Sequence, residues 1–344
     1  MKTSLMIDGR RGEGGGQVLR TSLSLSAALG LPLQIEHIRG GRKKPGLMRQ
    51  HLTCVQALAR ICAAEVDGDV LQSTKLRFEP GEVVAGKYFF AVGSAGSAML
   101  VLQTILPPLL LADGPSEVLL EGGTHNQMAP PFEAIQEGFA PQVEKLGAGL
   151  RLTLDRAGFF PAGGGRVRVE IDPIQNPKGL VLLERGQEAF RRGTIHAAHL
   201  PDEVVTRQFE LLADGLRLPP GKIDVVRHDD SAGPGNAVQV RLGFEHVTEV
   251  LTGFGEKSLP SKRVVDPLVR QVRRYLSSTA PVGRYLCDQL MLPMALAAGG
   301  RFRCQAPSLH AATQAELLDE VLGEGTVAIE ELGRDDFEVR VRGR

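Results

Sequence analysis

The chain is predicted to be an α/β protein of stacked modules, and three observations carry that reading. Strand-like and helix-like segments alternate steadily, glycine-rich junctions join strands to helices, and a unit of two strands and two helices with extra strands recurs by element order. The first unit opens with an apolar strand over 5–7 and a helix that Gly14, Gly15 and Gly16 start and that runs to about Leu29. A strand over 33–37 leads to a helix over 47–62, where Leu52, Val55, Ala59 and Cys62 fall at helical spacing and give it one face to pack on a sheet. Strands over 76–78 and 88–92 follow, then a helix over 95–111 and a strand over 117–121. A helix over 132–146 and strands over 150–154 and 166–171 close the second unit. Two glycine-rich stretches, 161–165 and 231–236, read as hinges between units.

Between about Leu183 and Ser277 the composition shifts to a self-contained set. It comprises a strand over 192–198, a helix over 202–216, strands over 223–227, 237–242 and 246–251, and a long basic helix over 261–276. An inserted small domain follows, so that 278–344 returns to the body formed by 1–183. In that returning segment a strand over 302–305 gives way to a helix over 311–322, with His310 at the junction.

At 344 residues and 42% hydrophobic content, the chain is long enough for two domains with full cores. The 40 basic and 40 acidic residues cancel, so nucleic acid must be met by a local patch rather than a global field. Cys54, Cys62, Cys287 and Cys304 form no C-x-x-C pair and read as buried free thiols, which suits a reducing cytoplasm. The polar amino terminus does not resemble a signal peptide. The most apolar run, 99–112, is short and broken by Gln103, Pro107 and Pro108, so no membrane partner is expected.

The chemistry concentrates in a few stretches. His310 lies where a helix start offers unpaired N–H groups and a positive dipole end, a place that holds anionic phosphate beside an imidazole able to attack it. The run from Asp8 to Gln17 has the strand-to-helix context of a phosphate loop. It lacks the lysine of a P-loop and the small residue that a dinucleotide fingerprint needs at Gln17, although Glu36 would suit a ribose-binding acid. Glu13, set among these glycines, can hold a divalent cation that bridges phosphates.

Arg42, Lys43 and Lys44, with Arg39 before them, form the densest basic stretch. Its flanking glycines would let cations converge on the phosphates of an RNA end, and a solvated loop is the plainer alternative. With 5% aromatic residues, a broad base-stacking platform is not expected, nor is a DNA duplex partner. The stretch 93–97 joins a strand to a helix that carries Gln103. His125, in the polar loop that ends at Pro130 and Pro131, is a rival nucleophile. The segment from Tyr285 to Gln289 places a ring, a carboxylate and an amide at one helix end.

Together these stretches resemble the RNA 3′-terminal phosphate cyclases. The likeness rests on 12–17, on 42–47 with 50–52, on 93–97, on 159–165, and on 285–289 followed by His310. It implies α/β (α+β) architecture of repeated βαβαββ modules, similar to the enolpyruvyl transferases and to the carboxy-terminal domain of a translation initiation factor, with a small inserted α/β domain. It also implies ATP-dependent conversion of an RNA 3′-phosphate into a 2′,3′-cyclic phosphodiester through an adenylate on histidine. By motif position His310 is the adenylated residue, Tyr285, Leu286, Cys287, Asp288, Gln289, Gln103 and Pro131 contact the nucleotide, and Glu13 and Asp288 hold Mg²⁺ or Mn²⁺. Arg20, Arg39, Arg42 and Gln50 match polar residues around the phosphates. Cys287 stands where the family often has alanine. A ribosome-assembly branch that binds RNA without catalysis lacks the histidine, which this chain retains.

Overall fold

The computed structural model describes residues 4–344, in which four four-stranded sheets organise the chain. The first module comprises β1 (Leu5–Asp8), α1 (Gly16–Leu29), β2 (Leu33–Glu36), α2 (Arg49–Ile61), β3 (Glu65–Asp67) and β4 (Leu76–Glu79), with sheet order β1-β2-β4-β3. The second repeats the plan: β5 (Lys87–Ala91), α3 (Ala98–Leu109), β6 (Ser116–Gly122), a π-helical turn (Ala134–Phe139) running into α4 (Ala140–Lys145), β7 (Gly149–Arg156) and β8 (Gly165–Asp172), ordered β5-β6-β8-β7. In both, the first two strands are parallel and the rest antiparallel.

The third module begins with β9 (Leu180–Leu182) and is then interrupted. The intervening chain forms β10 (Glu188–Ala198), α5 (Asp202–Leu216), β11 (Ile223–Arg227), β12 (Gly235–Phe244), β13 (Thr248–Phe254) and α6 (Ser261–Ser277), with a sheet of its own ordered β11-β10-β12-β13. Then α7 (Leu286–Leu296), β14 (Gly300–Cys304), α8 (Leu309–Leu322), β15 (Val327–Gly333) and β16 (Asp336–Val341) complete the third sheet, where β9 pairs in parallel with β14. The chain is therefore a βαβαββ plan written three times, the third copy split after its first strand.

Alternation builds the sheets: in β8, Val167, Val169 and Ile171 point inward and arginines and acids outward. Helix α3 is apolar nearly all round because it is buried against α1 and α2, and Ser97 caps it by accepting the Leu100 N–H at 3.2 Å. Helix α6 buries a stripe of Val264, Val265, Leu268, Val269, Val272 and Tyr275 beneath its basic face. That stripe belongs to a hydrophobic cluster distinct from the one shared by the three modules. Buried Arg185 spans the neck. It donates to the carbonyls of Ala280 at 2.8 Å and Tyr275 at 2.6 Å and lies 3.8 Å from the Tyr275 ring centre, joining the chain that enters the interruption to the chain that leaves it.

The structure corrects several expectations. The helix expected over 132–146 is a π turn followed by a short α-helix. Pro141 has no N–H to return to Glu137, and Ala140 donates five residues back, to Ile135. The glycine-rich stretches 161–165 and 231–236 are not hinges but pack on each other. A Cβ on Gly164 would come 2.8 Å from that of Ala232, and one on Gly233 as close to that of Ala162. The mixed sheets leave no doubly wound parallel sheet for a dinucleotide, and Glu36 is instead paired with Lys75 at the surface, at 2.8 Å. All four cysteines are buried and free, as expected.

Candidate active site

Three helix starts meet at one side chain, Gln17. Its Oε1 accepts from His310 Nδ1 at 2.7 Å, while its Nε2 donates to Asp288 Oδ2 at 3.2 Å and Gln314 Oε1 at 3.3 Å. Gln17 lies in the first turn of α1, Asp288 in that of α7 and His310 in that of α8. Three positive dipole ends thus surround one spot, the electrostatics an oligophosphate requires. Ser308 caps α8 by accepting the Ala311 N–H at 3.2 Å, which holds His310 inside the helix rather than in the loop before it.

The bond to Gln17 determines what His310 can do. A carbonyl oxygen only accepts, so the imidazole proton sits on Nδ1 and the Nε2 lone pair is left free. Burial lowers the pKa of His310 against the pull of Glu13, with Arg20, Arg42 and Arg284 lowering it further, so the ring is neutral and nucleophilic at neutral pH. Its side chain is 43% exposed and open to a ligand.

Around it lie the other residues anticipated from sequence. Glu13 is buried and paired with Arg42. Its Oε1 stands 4.0 Å from His310 Nδ1 and has no hydrogen-bond partner among the described residues. Asp288 is half-buried, and desolvation pushes its pKa up to about 7 against the pull of Arg20. An orphaned carboxylate oxygen and a second carboxyl, both tied to the His310–Gln17 pair, suit a divalent cation. Arg20 is half-buried beside the site, where desolvation lowers its pKa. His51 is held down to about 3 by burial and the cations of Arg20, Arg39 and Arg42, so it adds no charge.

A cavity of about 70 Å³ opens beside these groups, lined by Gln17, Arg20, Gln103, Phe139, Asp288 and Gln289 among others. Gln103 Nε2 donates to Gln289 Oε1 at 2.9 Å across it. Tyr285 is 57% exposed at the start of α7, whereas the side chains of Leu286 and Cys287 point into the core and leave only their backbone to the site. Gln50 accepts the Ser97 N–H at 2.7 Å and so anchors the 93–97 loop. Arg39 braces the basic loop from within by donating to the carbonyls of Lys44 and Gly46 at 2.8 and 2.9 Å. Arg42, Lys43 and Lys44 are exposed. Pro131 does not line the cavity: it is buried, and its carbonyl accepts the N–H groups at the head of the π turn.

His125 is brought nowhere near a nucleophile's position. Its ring is buried, with Thr124 on Nδ1 at 2.8 Å and Glu133 on Nε2 at 3.0 Å, and it does not line the cavity. The residues that sequence reasoning passed over are Gln17 in this role, Thr21 and Gln314. Thr21 donates to Gln314 Oε1 at 2.7 Å, and Gln314 in turn holds the Gln17 amide. The signal was a polar stripe on otherwise apolar helices, visible only once α1 and α8 are known to touch.

A family model described as RNA 3′-terminal phosphate cyclase matches residues 11–326. An RNA 3′-terminal phosphate cyclase of Koribacter versatilis is 46% identical over 314 residues, 91% of this chain and 88% of that one. Among solved structures, the enolpyruvyl transferase NikO of Streptomyces tendae matches at 12% identity with a TM-score of 0.39. The alignment takes in 100% of this chain, which spans about half (49%) of that protein.

Proposed function

Because the chain belongs to the RNA 3′-terminal phosphate cyclase family, whose members are ATP-dependent ligases, we propose that it converts RNA 3′-phosphate ends to 2′,3′-cyclic phosphodiesters with His310 as the covalent nucleophile. A 3′-phosphate carries about two negative charges and no good leaving group, so its neighbouring 2′-hydroxyl has nothing to displace until the phosphate is activated. His310 Nε2 attacks the α-phosphorus of ATP and pyrophosphate departs. The RNA phosphate then takes the adenylyl group from His310, and the 2′-hydroxyl closes the ring and expels AMP. Arg20, Arg42 and the three helix starts stabilise the charge that develops on the phosphates.

Glu13 and Asp288 are the residues that would hold Mg²⁺ or Mn²⁺, which when bound neutralises phosphate charge. Gln103, Tyr285 and Gln289 bind the nucleotide with the backbone of Leu286 and Cys287. Arg39 and Gln50 act by fixing the basic and 93–97 loops, and Pro131 by shaping the wall behind. Residues 184–277 are an inserted unit, and 1–183 with 278–344 the catalytic body. Four free buried thiols support a reducing cytoplasm as the working compartment, and among the described residues no helix is long and apolar enough to cross a membrane.

The observation that carries this reading is the Gln17–His310 bond, which holds the imidazole proton on Nδ1 and leaves the Nε2 lone pair free at the site of three helix starts. Incubation of the pure chain with metal and α-labelled ATP should leave label on the protein that is lost in acid and kept in alkali, as a phosphoramidate behaves. A protein that binds 3′-phosphorylated RNA but never takes label would instead be a non-catalytic relative.

A further inference from the structure

We propose that His125, Glu133 and His196 form a binding site for one divalent transition-metal ion, zinc-like in its preferences, where the second module meets the interrupting sheet. The site is separate from Glu13 and Asp288, and the proposal does not rest on the cyclase reading. His125 follows β6, Glu133 precedes the π turn and His196 lies on β10. Each offers one ligand atom within 4.8 Å of the other two, and all three residues are buried. Glu133 lies 3.0 Å from His125 Nε2 and 3.7 Å from His196 Nε2. Two imidazole nitrogens and one carboxylate suit zinc and its neighbours, whereas magnesium and calcium prefer oxygen alone.

A second observation concerns the far side of each ring. His125 Nδ1 lies 2.8 Å from Thr124 Oγ1, and that hydroxyl also reaches the Gly158 carbonyl, at 3.4 Å. His196 Nδ1 lies 3.0 Å from His228 Nε2. Both Nδ1 atoms therefore have an outer partner able to take their proton once an ion binds; in the ion-free chain His125 Nε2 faces the Glu133 carboxylate and His196 Nε2 the Gln239 amide oxygen, both acceptors, so the ion would displace a proton from each Nε2. Metal-ligating histidines are held and oriented in this way.

Gln239 completes the surround. Its Nε2 donates to Glu133 at 2.7 Å and its Oε1 stands 3.2 Å from His196 Nε2, so turning the amide supplies a fourth, oxygen ligand or admits a water. A divalent ion would sit between the Glu133 carboxylate and the two imidazole nitrogens. None of the three ligands lines the nucleotide cavity. Because His125 and Glu133 come from one unit and His196 from the other, the ion would clamp the two together.

The test is to strip the full chain with a chelator, add Co(II) or Zn(II), and measure bound metal per chain, the Co(II) visible spectrum and the melting temperature. One ion per chain is expected, with a low-symmetry Co(II) spectrum of nitrogen and oxygen ligands and a higher melting temperature. His196→Gln and Glu133→Gln should lose the ion, and His228→Ala should weaken it about 10–100-fold. The Glu13→Ala, Asp288→Ala double variant should keep it. Circular dichroism establishes that the variants fold. Where one does not, the wild-type spectrum and the double variant decide. A stripped wild type that takes up no stoichiometric ion overturns the proposal. So does an ion that persists in folded His196→Gln and Glu133→Gln, or one that departs with Glu13 and Asp288.

Discussion

Gln17 holds His310 and Asp288 through one amide, so a change there moves two parts of the proposed site together. Gln17→Leu should slow protein adenylation by on the order of 10–100-fold in single-turnover assays, because the imidazole loses its fixed tautomer. His310→Ala should abolish labelling outright with the fold intact. Label retained by that variant, or lost in His125→Ala instead, would sink the assignment. Glu13→Ala and Asp288→Ala should depress adenylation more than cyclisation of RNA already adenylated, and equal losses would count against a role confined to activation. The pH dependence belongs to this scale too. His310, lowered below its usual value, stays neutral through pH 7, so the acid limb of adenylation should come from Asp288, whose carboxylate is lost as pH falls through about 7. A carboxyl raised from 3.8 to about 7 favours the fold while protonated, and that contribution disappears as pH rises across the interval. Asp288→Asn should therefore melt higher than the parent at pH 8 and show little gain near pH 4. An unchanged difference at both pH values would contradict the burial argument.

At the scale of elements, the loop from Arg39 to Gly46 presents exposed Arg42, Lys43 and Lys44 to solvent, with Glu13 paired to Arg42. Removing its cations should raise the RNA requirement and flatten its salt dependence. Arg42→Ala should do so more than Lys44→Ala, since a guanidinium grips phosphate through two hydrogen bonds. Cyclisation of a short 3′-phosphorylated RNA across a salt series reads both, and an unaltered slope in the two variants would make this a solvated loop. Elements with strong periods were legible in advance: β8 alternates cleanly, and α6 carries its apolar stripe at helical spacing. Three-residue β3 and β9 were not, because so short a run has no measurable period. The site was half legible. His310, Glu13 and Asp288 announce themselves by residue type and junction, whereas Gln17 and Gln314 look like surface amides until α1 and α8 are packed together. The buried histidine cluster joins residues some 70 positions apart, and no local pattern signals it.

Among the described residues there are two large hydrophobic clusters and a small third one of Ala157, Phe159, Ala198 and Ala237, and the cavity beside Gln17 is lined entirely from the three modules. Leu268→Ala, in the core of the interrupting unit, should cost about 2–5 kcal/mol there, yet leave the adenylation rate within about twofold. Hydrogen exchange should rise over 188–277 and not in α1, α7 or α8. Loss of adenylation together with uniform exchange would mean that the two cores melt as one.

The neck at Arg185 bears on how such a chain assembles as it leaves the ribosome. Strand β9 must pair with a β14 that is made only after the whole interrupting unit has emerged, and Arg185 grips a carbonyl 95 residues further along. Closing a loop of that length costs conformational entropy that grows with the logarithm of its length, whereas a unit that has already folded presents its two ends side by side and leaves only a short gap to close. The third module can thus be read as a sheet whose last join waits on its neighbour, with the interrupting unit serving as the jig that brings the halves together.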